Sequence, residues 1–242
     1  MITGEQVYLP AFQSGQARLT LDGSEFHHLI RVRRFKINTE IWVVNGLGTA
    51  ALARIESIGS ESLDLKILQE ESGRGELLGE IILAVANLKG DHLNLVVEKA
   101  TELGVHQIIP LLTDHTIKKG INQNRLERIA ISAMKQSRRS FLPRVHEITP
   151  FEKVGSGYPT ALHLFCHATD IAKDILEIKG RISTTRQVVL WIGPEGDWSK
   201  DEIDFASVSD YTFTGLGPRR LRAETAAIHA VGLVSTLLQD PA

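Results

Sequence analysis

Trp191-Ile192-Gly193-Pro194-Glu195-Gly196-Asp197-Trp198 and, further on, Leu216-Gly217-Pro218-Arg219-Arg220-Leu221-Arg222-Ala223-Glu224-Thr225-Ala226 decide the reading of this chain. Each stretch leaves a short apolar strand and enters a helix. Such corners are where α/β proteins hold small molecules, because glycine admits close backbone approach and a helix N-terminus offers free N–H groups. Two of them in tandem predict one pocket built from two loops.

The first corner follows Gln187 to Ile192, an apolar, β-branched run that reads as a buried strand. Gly193-Pro194 stops it. Ser199 stands three residues before Glu202, the spacing of a capping box, so a helix starts there. A plain turn into a helix explains Ser199 and Glu202, but not a carboxylate, Glu195, set between glycines. The second corner follows a strand at Tyr211 to Thr214 and precedes AAIHAVGLVSTLL, apolar nearly all round and therefore a buried helix. Arg219, Arg220 and Arg222 crowd its start, where cations oppose the helix macrodipole. They answer instead to an anionic partner or to a carboxylate such as Glu195.

Upstream, the pattern changes once. Residues 1 to about 70 alternate short strands (Val7–Leu9, Ala17–Leu21, Ile41–Val44, Ala50–Ile55, Leu63–Leu68) with turns, and Phe26 to Val32 is the one helix among them. Even spacing of this kind predicts a small β-barrel. The polar, glycine-bearing run Glu70 to Glu76 reads as a linker. From Ile81 onward apolar strands alternate with helical segments, the signature of an α/β layer with a largely parallel sheet. A helix near 91–103 ends at Gly104.

With 242 residues and a hydrophobic fraction of 43%, the chain suits two modest domains or one large one. No apolar stretch approaches the roughly 20 residues of a membrane helix. A leader sequence is not expected, and the single cysteine, Cys166, excludes an internal disulfide and fits a reducing cytoplasm. Cys166 reads as structural, since its neighbour His167 points to the other face of a strand. No metal is expected: His27 and His28 diverge, and no ligand-spaced cluster supports them. Glu98 and Glu102 share a helix face beside Lys99, a packed or solvated arrangement rather than an acid/base pair.

Net charge is −2, but a local stripe of cations is sufficient to track phosphates. Arg31, Arg33, Arg34 and Lys36 form one cluster without interleaved acids, and Lys118, Lys119, Arg125, Arg128, Arg138 and Arg139 form a second basic zone. A solvated face is the plain alternative for either.

Taken together, Ile192–Gly196 (IGPEG) and Leu216–Ala226 (LG-x-R-x-LR-x-ETA) resemble the C-terminal motifs of the bacterial 16S ribosomal RNA uridine-N3 methyltransferase family, in the SPOUT superfamily. His27-His28-Leu29 with Arg31 to Arg34, Glu98 to Val105 with Ile109-Pro110, and Gln136-Ser137-Arg138 with Pro143 resemble its other motifs in order along nearly the whole chain. Asp197 stands where the family usually has glycine, Arg220 where it has an apolar residue, Arg33 where it has leucine, and Asn38-Thr39 where Gly-Asp is common.

The resemblance implies a PUA-like β-barrel over 1–70, a linker over 71–79, and a SPOUT α/β methyltransferase domain with a C-terminal trefoil knot over 80–242. It implies S-adenosyl-L-methionine as cofactor. Its pocket would be made by Leu164, Phe165 and His167; by Ile192, Gly193, Pro194, Glu195 and Gly196; and by Leu216, Gly217, Leu221, Arg222, Thr225 and Ala226. Arg222 would stabilise the uracil imide anion, with Glu195 or Glu224 orienting it; no general base stands out. Arg31, Arg33, Arg34, Lys89, Arg138 and Arg139 would face RNA of the small ribosomal subunit. A cytoplasmic homodimer completes the picture. Two other classes compete: an RNA-binding module without catalysis, and a dinucleotide enzyme, which would need the G-x-G-x-x-G absent after the first α/β strand.

Overall fold

The computed structural model describes residues 2–117, 120–167, 169 and 171–239, so Lys118 and Lys119 of the second basic zone lie outside the described residues. The chain forms two compact units. One comprises Met1–Glu76 with Ile131–Leu142, the other Leu77–Ala130 with Pro143–Ala242.

In the first unit, β1 (Ile2–Tyr8), β2 (Arg18–Asp22), β3 (Glu40–Val44), β4 (Thr49–Ile58) and β5 (Ser62–Ser72) make one sheet of order β1-β3-β4-β5-β2. Its β1–β3 pair is parallel and the others antiparallel. Period-two alternation builds the core: in β2, Leu19 and Leu21 are buried between exposed Arg18, Thr20 and Asp22. They pack with Val7, Ile41, Val43, Ile55, Leu63 and Leu65. The helix expected over 26–32 is split into α1 (Gly23–His27) and a π turn (His28–Val32), which buries Phe26 and Leu29. The expected linker starts inside β5, which extends to Ser72.

The return of residues 131–142 to this unit was not legible in the sequence pattern. Gly75, at φ +67° to +71° with Gly73, shows why it fits. A Cβ on Gly75 would lie 2.8 Å from the Arg138 carbonyl oxygen. Arg139, expected to face RNA, is instead 1% exposed. Its Nη2 meets Glu76 Oε2 at 2.7 Å, and the other carboxylate oxygen accepts the Ser140 and Phe141 N–H groups at 3.0 and 2.8 Å. Gln6 Nε2 donates to the Arg139 carbonyl at 2.7 Å. An ion pair this enclosed persists because its hydrogen bonds are nearly all satisfied.

The second unit is a parallel sheet. It contains β6 (Glu80–Ala86), α2 (His92–Glu102), β7 (Gln107–Leu112), the first half of α3 (Gln123–Gln136), β8 (Arg144–Val145), β9 (Thr149–Pro150) and α4 (Phe151–Val154). Then follow β10 (Leu162–Cys166), β11 (Lys173–Asp174), α5 (Lys179–Thr184), β12 (Gln187–Ile192), α6 (Lys200–Val208), β13 (Thr212–Gly215) and α7 (Ala223–Gln239). Sheet order is β11-β13-β10-β12-β6-β7-β8, with β9 also on β7. Strands β6 and β12 are buried along almost their whole length, as a parallel sheet covered on both faces requires. Helix α2 ends as expected at Gly104, whose φ of +97° admits the Val105 N–H to the Ala100 carbonyl at 3.0 Å. Helix α7 packs on α2, α5, β6 and β12.

Arg139→Ala leaves the Glu76 carboxylate enclosed without its cation. The expected loss is about 3–5 kcal/mol of stability, read as a lowered urea midpoint at unchanged slope; a loss below about 1 kcal/mol overturns the assignment.

Candidate active site

Strands β10, β12 and β13 lie side by side and end together, and the loops that follow them enclose a cavity of about 950 Å³. The carboxyl ends of parallel strands are the usual place for a ligand in an open α/β sheet.

Trp198 fixes the first loop. Its indole stacks on Phe165 at 4.6 Å between centroids, lies 5.5 Å from Phe151, and donates Nε1–H to the Cys166 carbonyl at 3.2 Å. A Cβ on Gly193 would sit 3.0 Å from that indole, a contact tight enough that glycine suits the position best. Asp197 has φ +65°, the left-handed region that Asp tolerates better than most residues. That explains the departure from glycine there. Its carboxylate accepts the Trp198 N–H at 2.9 Å and meets His167 Nδ1 at 3.3 Å, while its carbonyl meets His115 Nδ1 at 2.7 Å. The loop then enters α6 through the expected capping box: Ser199 Oγ accepts the Glu202 N–H, and Glu202 Oε2 accepts the Ser199 N–H at 2.8 Å. The other Glu202 oxygen takes the Asp114 N–H at 3.1 Å, tying α6 to the β7 loop.

The second loop carries Arg219, Arg220 and Arg222, all exposed, into α7. Glu224 is 8% exposed and pairs with His92 Nδ1 at 3.3 Å. One of the two carboxylates expected to orient Arg222 therefore turns to a histidine.

Of the expected cofactor residues, His167, Ile192, Gly193, Pro194 and Glu195 line the cavity from one side, and Leu216, Gly217, Leu221, Arg222 and Ala226 from the other. Leu164 and Phe165 do not: both are fully buried in β10, and Phe165 packs against Trp198. Gly196 is exposed, against the His115 side chain, and Thr225 is exposed on the outer face of α7; neither is on the cavity wall. Sequence reasoning missed His92 and Trp198. A tryptophan directly after a glycine loop is a signal for an anchor; nothing local marked His92. Arg31, Arg33, Arg34 and Lys36 are exposed, Arg33 meeting Glu5 at 3.1 Å. Lys89 and Arg138 are exposed as well. Glu98 and Glu102 both meet Lys99, at 2.7 and 2.9 Å, as a solvated cluster.

Cys166 also reaches the cavity wall. Its thiol is enclosed by protein although the residue is only partly buried, and desolvation pushes its pKa up to about 12. Among the described residues no group of three or more His, Cys, Asp or Glu is placed to hold a metal, and no helix is long and apolar enough to cross a membrane.

The chain thus has an α/β unit with a cavity at the carboxyl edge of its parallel strands and another unit built on a mainly antiparallel sheet, and RNA methyltransferase profiles match both. The RNA methyltransferase domain profile matches residues 76–235, and the RNA methyltransferase PUA domain profile residues 21–68. Ribosomal RNA small subunit methyltransferase E of Rickettsia conorii is 31% identical over 96% of this chain and 95% of its own length. That of Synechocystis is 34% identical over 93% of this chain and 75% of its own. A crystal structure of a ribosomal RNA small subunit methyltransferase E from Neisseria gonorrhoeae bound to S-adenosyl methionine is 28% identical, with a TM-score of 0.87 over 98% of this chain and 99% of that one. The chain belongs to the ribosomal RNA small subunit methyltransferase E family.

The Cys166 thiolate is scarce near neutral pH. At pH 8 the native protein should react with iodoacetamide about a thousandfold more slowly than an ordinary exposed thiol, and at the normal rate once unfolded in urea. Mass spectrometry of the alkylated peptide reads both rates.

Proposed function

We propose that this protein transfers a methyl group from S-adenosyl-L-methionine to N3 of a uridine in the 16S rRNA of the small ribosomal subunit. The observation that carries the reading is the two-loop cavity, whose walls come from Ile192 to Glu195 and from Leu216 to Glu224, in a chain whose fold matches a cofactor-bound relative at a TM-score of 0.87.

The residues fit the cofactor. About 950 Å³ lies within the usual range for a small-molecule site. Gly193 lets the Trp198 indole pack against the first loop, and Gly217, at φ +99° with open space where a Cβ would be, lets the second loop approach a ligand by its backbone. The wall mixes Glu195, Asp197 and Glu224 with Arg219, Arg220 and Arg222, which suits a ligand that carries both a carboxylate and a sulfonium. Ile192, Pro194, Leu216 and Leu221 offer apolar surface to an adenine. Bound there, the cofactor supplies an electrophilic methyl carbon.

The protein contributes position and charge. Holding a uracil N3 in line with the methyl carbon can supply roughly 7–11 kcal/mol of the barrier. Arg222, exposed at the cavity mouth, would stabilise the anion left when N3 loses its proton. Since N3 lies on the pairing edge, the base must be unpaired or turned out of its stack. The first unit, as a PUA-like domain, would hold neighbouring rRNA through Arg31, Arg33 and Arg34. The 80–242 region would be a SPOUT domain with a trefoil knot, as the motif resemblance implies. A homodimer fits the partly exposed apolar residues Ile228, Leu233 and Leu237 on α7. A ribosomal substrate supports a cytoplasmic location.

Calorimetric titration with S-adenosylmethionine, combined with mass mapping of 16S rRNA from cells with and without the protein, tests this reading. Binding plus one missing N3-methyluridine supports it; no heat favours a non-catalytic RNA-binding module. Gly193→Val, whose side chain meets the Trp198 indole, should weaken cofactor binding by roughly 10–100-fold while leaving the far-ultraviolet circular dichroism unchanged. Arg31→Glu with Arg34→Glu should spare cofactor affinity, weaken RNA binding and flatten its salt dependence by about 0.7–0.9 per lost phosphate contact. An unchanged salt slope removes these arginines from the RNA surface.

A further inference from the structure

Methylation at N3 requires a proton acceptor, because the N3 lone pair is unavailable while the N–H bond is intact. The cavity wall holds few groups that could serve. The arginines are protonated at any working pH. Cys166 holds its proton up to a pKa of about 12. His167 is 14% exposed and committed to Asp197, which also fastens Trp198. Glu195 is exposed, and among the described residues no hydrogen bond or ion pair orients it.

His92 is different. It opens α2 on the corner that follows β6, lines the cavity, and is 44% exposed in its side chain, so a base entering from solvent can reach it. Its Nδ1 lies 3.3 Å from Glu224 Oε1, whose side chain is only 11% exposed. With the Glu224 carboxylate 3.3 Å from Nδ1, the neutral tautomer that carries its proton on Nδ1 is the favoured one, and it leaves the Nε2 lone pair free. Imidazole is the side chain whose ordinary pKa best matches proton transfer near pH 7. The charged groups of the elements that meet here are Glu224 and Arg222 at the start of α7, Lys89 and Asp91 on the same corner, and Arg125 on α3, which pairs with Asp91 at 3.1 Å.

We propose that His92, oriented by Glu224, takes the N3 proton of the target uridine; the proposal rests on the uridine-N3 reading above. The N3–H bond breaks, its electron pair stays on N3, and the proton passes to His92 Nε2. The N3 pair then forms the new N–CH₃ bond as the S–CH₃ bond breaks, with that bonding pair returning to sulfur. The imidazolium returns its proton to water through its exposed edge, and Arg222 faces the transient negative charge.

His92→Gln keeps size and polarity but cannot accept a proton at this pH. In single-turnover methylation of small subunits lacking the modification, it should be about 100-fold slower than the native protein at pH 7. The deficit should shrink as pH rises, because hydroxide then deprotonates N3 directly. Calorimetry should show cofactor affinity within threefold of native. Nitrogen-15 spectra of the histidine rings give a readout independent of turnover: native His92 should carry its neutral-form proton on Nδ1, and Glu224→Gln should shift that tautomer balance. A His92→Gln rate and pH profile equal to native, or a proton on Nε2 of native His92, overturns the dyad while leaving the methyltransferase reading intact. A native protein that binds the cofactor but makes no N3-methyluridine on these subunits overturns both.

Discussion

The cavity depends on one aromatic contact. Trp198 reaches back under its own loop, stacks on Phe165 of β10, and gives its indole N–H to the Cys166 carbonyl at the end of that strand. The loop after β12 is thereby bound to the end of the neighbouring strand. Gly193 is the other half of the constraint, since any side chain there would meet the indole. Burial of a tryptophan brings one of the largest apolar contributions a single residue can make, and its polar edge needs a partner. Here the partner is a strand-end carbonyl, so the same contact that stabilises the unit also shapes the wall.

Electrostatics then divide the cavity. Asp197 and Glu224 are each committed to a histidine, at 3.3 Å in both cases, while the arginines of the second loop stay exposed. Those two carboxylates have protein partners, while Glu195 and the cations remain open to an incoming ligand. The poor fit between three arginines and a helix N-terminus, visible in the sequence, has this resolution: their role lies outside the helix. Asp197 is the clearest case of a departure with a local cause. The backbone there is left-handed, which glycine adopts freely and aspartate tolerates, and the aspartate adds a clamp on His167 that glycine could not.

What was legible in the sequence was local. The β12 strand, the Ser199–Glu202 capping box, the end of α2 at Gly104 and both glycine corners each depend on residues within a few positions of one another, and each was found where the pattern put it. Contacts between distant segments were not legible. Leu164 and Phe165 were drawn toward the ligand by their motif, yet strand packing buries them. Arg139 looked like part of a basic face because its partner, Glu76, lies far back in the chain. His92 and Glu224 are separated by most of the second unit, and only the fold of the sheet brings them together. A period of two or 3.6 residues carries no information about such pairs.

The Glu76–Arg139 ion pair joins residues made at very different moments of synthesis. While a ribosome emits the chain in order, the first sheet emerges complete but lacks the segment Ile131–Leu142, which arrives only after β6, α2 and β7. Until then Glu76 waits without its cation, and Gln6 without the carbonyl it binds. Domains that close in a single stretch can finish folding at the tunnel exit. This one is obliged to remain open while part of the next is already being made, so its final closure is post-dated to the emergence of a helix from the other half of the chain.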